Sequence, residues 1–305
     1  MNAPSFSLRS LALAAALVLP VVGFAQTPLY QWNFDPSGSL APTSTNGSVT
    51  GGTLAITNAG TATSSTVNSA GVSGASGDYA LDASSTTYAQ SNYTTITSSL
   101  GSFPTLNALT VTMWIKAADW SASINNARLL ELNSAPTGMD GDKLYFSVNA
   151  NGFSSAGALF QAGINQGGGS VSNGTLMPNS GSSWLFVSMT WDSTLTSGSN
   201  ISVFMGNTTT SVAQAGTAFG AYTNAMTSVT SVSIANRSDG IRGFDGLIDD
   251  VRIYDSALSS GQLEAIRVSG ISAIPEPSTY GIVAGGLALV GAMVACRRRA
   301  NAAKA

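Results

Sequence analysis

Phe244-Asp245-Gly246-Leu247-Ile248-Asp249-Asp250-Val251-Arg252-Ile253-Tyr254-Asp255-Ser256-Ala257-Leu258-Ser259 decides the fold. From Gly246 to Tyr254 the stretch is rich in aliphatic and aromatic residues at strand length, and Asp245-Gly246 ahead of it is a turn dipeptide. A helix start follows at once. Ser259-Ser260-Gly261-Gln262 matches a capping box with Ser259 as N-cap and Gln262 at N3, and Leu258 and Leu263 are spaced for a hydrophobic staple. The helix is predicted to run to about Val268.

Working back from that closing unit, apolar residues recur with period two. Strands are predicted at Leu29 to Phe34, Ala108 to Ala117, Arg128 to Leu132, Lys143 to Asn149, Ala158 to Ile164, Trp184 to Trp191, Ile201 to Met205 and Val229 to Ala235. Leu185, Val187, Met189 and Trp191 share one face, as do Val111, Met113 and Ile115, and each set reads as core. Trp114, Trp184 and Trp191 lie in strands and are assigned to packing. Asp140-Gly141 and Asp239-Gly240 are turn dipeptides beside these runs. Between Gly38 and Gly77 the Ser/Thr/Gly-rich chain predicts weak strands separated by loops. Many short strands with turn signals predict an all-β, antiparallel β-sandwich with one short C-terminal helix.

Composition removes several chemistries. The chain has no histidine and one cysteine, Cys296. That excludes the Ser-His-Asp triad, the Cys-His dyad and ordinary zinc catalysis, and it leaves no intramolecular disulfide. Between Gln26 and Ile274 seven basic residues face fourteen acidic ones, a net −7, so nucleic acid is not a partner. Only 9% of the chain is charged, so its polar surface is made of Ser, Thr, Asn, Gln and Gly.

The segment Phe244 to Ser259, with Tyr30-Gln31-Trp32-Asn33-Phe34-Asp35 and Leu109-Thr110-Val111-Thr112-Met113-Trp114-Ile115-Lys116, resembles laminin-G-like, concanavalin A-like jelly-roll domains. The resemblance implies a jelly roll that binds carbohydrate or protein, or else a glycosidase. Glycosidases of this fold carry a Glu-x-Asp-x-x-Glu type motif on one strand face, and neither Glu131 nor Glu264 sits in one. Asp249 and Asp250 are chain neighbours in a strand and are expected on opposite faces, which argues against their acting on one bond. The same resemblance implies Ca²⁺, with candidate ligands Asp35, Asp249, Asp250, and Asp140 with Asp142 in a loop. Asn151 stands where an EF-hand would place its glutamate. The plainer alternative makes each aspartate a turn former or an ion-pair partner of Arg242 or Arg252. Trp120, in a polar loop between Asp119 and Ser121, is the candidate for stacking on a sugar, with local packing as its alternative.

Both ends read as addresses. Arg9, the apolar run Leu11 to Val22 and Gly23-Phe24-Ala25 form a signal peptide, with cleavage by signal peptidase expected after Ala25. At the other end stand Pro275-Glu276-Pro277-Ser278, an uncharged run from Gly281 to Cys296, and Arg297-Arg298-Arg299. A helix of sixteen residues is about 24 Å long, and its flanks make up the remainder of a ~30 Å hydrocarbon layer. The arginines form a basic stop that keeps the last residues cytoplasmic and everything before Pro275 outside. This order resembles the PEP-CTERM sorting signal of bacteria, which implies cleavage near Pro-Glu-Pro by an exosortase-type enzyme; an unprocessed single-pass anchor is the alternative.

The expected organisation is therefore signal peptide 1–25, jelly-roll domain 26–271, linker with sorting motif 272–278, transmembrane helix 279–296 and basic cytoplasmic tail 297–305. It implies an exported precursor anchored in the membrane, with a mature form at the cell surface or outside the cell. Two functions stay open: a non-catalytic module that binds polysaccharide or a surface protein in the extracellular matrix, and a structural matrix or coat protein with no specific ligand. A glycoside hydrolase is the third.

Overall fold

The computed structural model describes residues 26–35, 44–45, 55–58, 65–68, 70–84, 95–101, 103–118, 126–134, 142–149, 159–164, 171–176, 183–196 and 198–272. Both chain ends, Asp140 and Trp120 lie outside them. Two sheets stack as a jelly-roll sandwich. The first has the order Ala213–Gln214 (β14), Ile201–Asn207 (β13), Leu185–Asp192 (β12), Ala108–Ala117 (β7), Gly246–Tyr254 (β16), Tyr30–Trp32 (β1) and Ser44–Thr45 (β2). Tyr79–Asp82 (β5) also pairs with β16 and carries Ser65–Asn68 (β4). The second has the order Val171–Leu176 (β11), Leu159–Ile164 (β10), Asp142–Asn149 (β9), Ala127–Asn133 (β8), Ser231–Ile234 (β15), Thr95–Ser99 (β6) and Ala55–Asn58 (β3). The pairings among these strands are antiparallel.

Alternation along the strands builds two cores. Val111, Met113 and Ile115 of β7 and Val187, Met189 and Trp191 of β12 turn inward and meet Leu130, Leu132, Leu144, Phe146, Val232 and Ile234 of the second sheet. The opposite face of the first sheet carries Trp114, Phe186, Phe204 and Tyr254, which bury Leu258, just ahead of the closing helix Ser260–Ile271 (α1), and Leu263 and Ile266 within it. Burying one such aliphatic side chain stabilises by about 1.5–3 kcal/mol, so the helix is held by its docking rather than by its length. Its start is as expected: Ser259 Oγ accepts from Gln262 N and Gln262 Oε1 accepts from Ser259 N, at 3.4 and 2.9 Å. Thr110 of β7 fixes the approach by donating to Ser256 O and accepting from Leu258 N, at 2.6 and 2.9 Å. The helix runs to Ile271, past the predicted Val268.

Three strand-level expectations change. Asp245-Gly246 makes no turn, because Asp245 O accepts from Ala118 N at 3.0 Å and Gly246 pairs with Ala117, which extends the chain along β7. The Gly246 φ of 154° and the backbone of Lys116, which a Cβ there would strike, both require glycine. Asp142 is not in a loop but is the first residue of β9, opposite Asn133 in the second sheet. Finally, β16 is not regular: its pairing with β7 slips between Asp249 and Arg252, and Asp250 has φ +50°.

On the second sheet the face away from the core is polar and closed. Glu131 is fully buried, pairs with Arg128 at 3.5 Å and accepts from Ser238 N and Asn133 Nδ2 at 3.0 and 3.2 Å. Arg128 lies 4.1 Å over the Tyr145 ring. Asn236 Oδ1 accepts from Arg237 N and Arg242 N, both at 2.8 Å, and Arg237 Nε bridges both oxygens of Asp239 at 2.8 and 2.9 Å. Those bonds shape residues 236–242, and the Ser238 N bond to Glu131 with Arg128 N donating to Arg242 O at 2.7 Å clamps them onto β8.

Candidate functional site

The bulge in β16 creates the site. In a regular strand Asp249 and Asp250 would face opposite ways. Here Ile248, Val251 and Ile253 all reach the main core, so the extra residue falls between Ile248 and Val251, and both carboxylates line one cleft. The expectation that they diverge was wrong for that reason. The cleft, about 220 Å³, lies where the end of β1, the loop before β5, β16 and the end of α1 meet. Asp35, which follows β1, enters it, so Asp35, Asp249 and Asp250, three of the five candidate ligands, line one cleft.

A fourth carboxylate, Asp78, comes from the loop before β5 and was missed. The sequence signal was weak: an aspartate ending the run Ser73-Gly74-Ala75-Ser76-Gly77 reads as turn chemistry. It does make that turn, since Asp78 Oδ2 accepts from Ser73 N at 2.7 Å and from Ser73 Oγ. The other carboxylates are pinned as well. Asp35 Oδ1 accepts from Tyr79 N at 2.8 Å; Asp249 accepts from Val72 N at 3.0 Å and from Asp250 N at 2.7 Å. Arg252 Nη2 contacts both oxygens of Asp250 at 3.1 Å, and Nη1 donates to Ser269 Oγ at 3.3 Å. That pair is the ion-pair alternative foreseen for Arg252. Gly270 of α1 makes the approach possible, because a Cβ there would come within 2.6 Å of Trp114 Nε1 and 2.9 Å of Asp250 Oδ2.

Four carboxylates share one guanidinium, and two of them, Asp35 and Asp249, are raised by burial first. Burial, with Asp78 and Asp250 adding repulsion against the opposing Tyr79 N–H, pushes Asp35 up to about 6. Asp249 is raised well above the carboxylate range, by burial first and then by the charge of Asp250. Arg252 stays charged although burial opposes it, because Asp250 and Tyr254 favour the cation. Backbone strain flanks the cleft too: Phe34 and Asp250 both have positive φ, 59° and 50°. Carboxyls with raised pKa values in a strained cleft are a physical mark of a functional site.

Carboxylate oxygens are the donors Ca²⁺ prefers. The donor chemistry fits, but the arrangement does not: these oxygens turn toward backbone N–H groups, Ser73 and Arg252, and among the described residues no three acidic or other ligating side chains are arranged to hold a metal ion. Asp142 lies in the other sheet. Also among the described residues, no helix is long and apolar enough to cross a membrane. The expected span 279–296, the sorting motif Pro275 to Ser278 and the basic stop Arg297 to Arg299 fall outside those residues.

A family model for the concanavalin A-like lectin/glucanases superfamily matches residues 86–264. No curated protein matches the chain. Among solved structures, the native heptameric SAP-like pentraxin from Limulus polyphemus is 16% identical with a TM-score of 0.41, over 54% of this chain and 71% of that one. Domain 4 of AbnA, an extracellular arabinanase from Geobacillus stearothermophilus solved with arabinotriose, is 15% identical with a TM-score of 0.43, over 79% of this chain and 98% of that one. A structure of botulinum neurotoxin type C, whose cell entry is dependent upon interaction with two ganglioside molecules, is 10% identical with a TM-score of 0.46, over 80% of this chain. The match spans 51%, about half, of that toxin chain.

Proposed function

Since the chain belongs to the concanavalin A-like lectin/glucanases superfamily, we propose that it is an exported binding module whose acidic cleft takes a hydroxyl-rich polysaccharide of the extracellular matrix. The observation that carries this reading is the convergence of Asp35, Asp78, Asp249 and Asp250 on one cleft. Carboxyl groups exchange hydrogen bonds with sugar hydroxyls, accepting them when ionised and donating when protonated, and Gln31, Asn33 and Ser73 in the same lining supply neutral partners. Delivery follows from the sequence: signal peptidase cuts after Ala25, and an exosortase-type enzyme acts at Pro275 to Ser278 while the helix 279–296 and Arg297 to Arg299 hold the precursor in the membrane. The mature chain is then at the cell surface or outside it.

A glycan array with wild type and Asp249→Asn tests the binding. Reproducible signals lost in the variant support the cleft. Binding unchanged in Asp249→Asn but lost in Trp120→Ala moves the ligand to Trp120, and no binding at all leaves a structural matrix component. Running the array with added calcium and with EDTA tests the ion. Calcium at Asp35, Asp249 and Asp250 would have to draw those carboxylates away from the N–H groups they hold. A signal and melting temperature unmoved by either reagent would reject it. One observation favours a second reading, hydrolysis: Asp35 and Asp249 are raised beside carboxylates of different environment, as in acid–base pairs. Release of reducing sugar from an array-positive polysaccharide would establish it. Intact mass of the cell-derived protein tests processing, since a C-terminus near Pro277 requires cleavage.

A further inference from the structure

We propose that Gln26, once exposed as the first residue of the exported chain, closes on itself to a neutral N-terminal lactam beside Arg252, in a cavity that adjoins the acidic cleft. This rests on the reading above in one respect, cleavage after Ala25. The reaction is balanced within one residue. The α-amine nitrogen attacks the side-chain amide carbon, a carbon–nitrogen bond forms, the bond to the amide nitrogen breaks, and that nitrogen leaves as ammonia.

The structure gives the terminus a defined place. Leu29 N donates to Ile253 O at 2.7 Å, and Tyr30 stands opposite Ile253, so the chain is locked to β16 from Leu29 onward. Only Gln26, Thr27 and Pro28 precede that lock, and three residues reach at most about 10 Å. Gln26 and Pro28 are half-buried. With Tyr254, Ile266 and Ser269 they line a second cavity of about 300 Å³, in which the one charged side chain is Arg252. An ammonium there would put a second positive charge beside that guanidinium, while the lactam is uncharged and still offers one N–H and one carbonyl. The two cavities share Gln31, Arg252 and Ser269. Losing the terminal charge therefore leaves the acid excess of the cleft undiluted.

Peptide mapping by mass spectrometry of freshly exported protein tests this. The expected result is a terminal peptide beginning at Gln26, lighter by one ammonia and blocked to Edman degradation, with Gln26→Ala reading as a free amine. A Gln26 terminus with a free amine overturns the lactam and leaves the cleavage standing. A terminus elsewhere overturns the cleavage and the lactam together. A lactam absent from fresh protein and accumulating only on storage also counts against the proposal.

Discussion

The charged cluster around Glu131 is closed and nearly balanced, whereas the one around Asp249 is open and unbalanced. On the second sheet Arg128, Arg237 and Arg242 meet Glu131 and Asp239, and the groups fasten a loop. In the cleft four carboxylates meet one arginine, and two of them rise in pKa. The carboxylate at the centre of each, Glu131 or Asp249, is buried. The contrast separates polarity used as a fastener from polarity kept available: in the first the partners come from the protein, and in the second the charge deficit has to be met by protons or by a ligand.

The largest test breaks the fastener. Glu131→Leu leaves Arg128 buried without its carboxylate, and urea denaturation should show a loss of about 3 kcal/mol with glycan binding unchanged in the folded fraction. A loss within the ~0.5 kcal/mol of ordinary surface changes would erase the contrast.

A smaller effect of opposite sign is expected in the cleft. The Asp35 carboxyl titrates near 6 when folded, against an ordinary value of 3.8, so the folded state holds its proton longer. Stability from this group is highest below 3.8 and falls as pH rises through 6. Asp35→Asn keeps an oxygen for Tyr79 N–H and should be more stable than wild type at neutral pH, by about 1–2 kcal/mol after discounting for solvent screening. The difference should vanish in acid. Melting temperatures across that range measure it, and an unchanged profile would mean that burial, with its neighbouring carboxylates, does not raise Asp35.

The smallest test uses a surface clasp as reference. Arg267 Nε donates to Glu264 Oε2 at 2.8 Å, and Glu264 Oε2 also accepts from Val212 N at 2.8 Å, which ties α1 to the segment after β13. The Arg267 hydrogen bond holds Glu264 down to about 2, so its contribution is full above 4.5 and is lost as pH falls through 2. Glu264→Gln should cost about 1 kcal/mol at neutral pH, discounted for exposure, and nothing in strong acid. Its pH dependence should run opposite to that of Asp35→Asn.

Legibility in the sequence followed locality. Strands at Ala108–Ala117 and Gly246–Tyr254 matched their predicted bounds, and the capping box formed as written, because period-two burial and capping depend on residues a few positions apart. Trp114, Trp184 and Trp191 are buried, as assigned. Asp250 was misjudged because alternation assumes regular pairing, and a bulge depends on register with β7. Asp78 was missed because its relation to Asp249 spans most of the chain and leaves no spacing to read.

Residue order alone determined an antiparallel β fold with a capped closing helix and the absence of histidine and intramolecular disulfide chemistry. Only the tertiary structure decided that Asp35, Asp78, Asp249 and Asp250 share a cleft. The physical reason is that periodicity reports which way a side chain faces in a regular strand, while a functional site is made where strands from distant parts of the chain meet and one of them breaks that regularity.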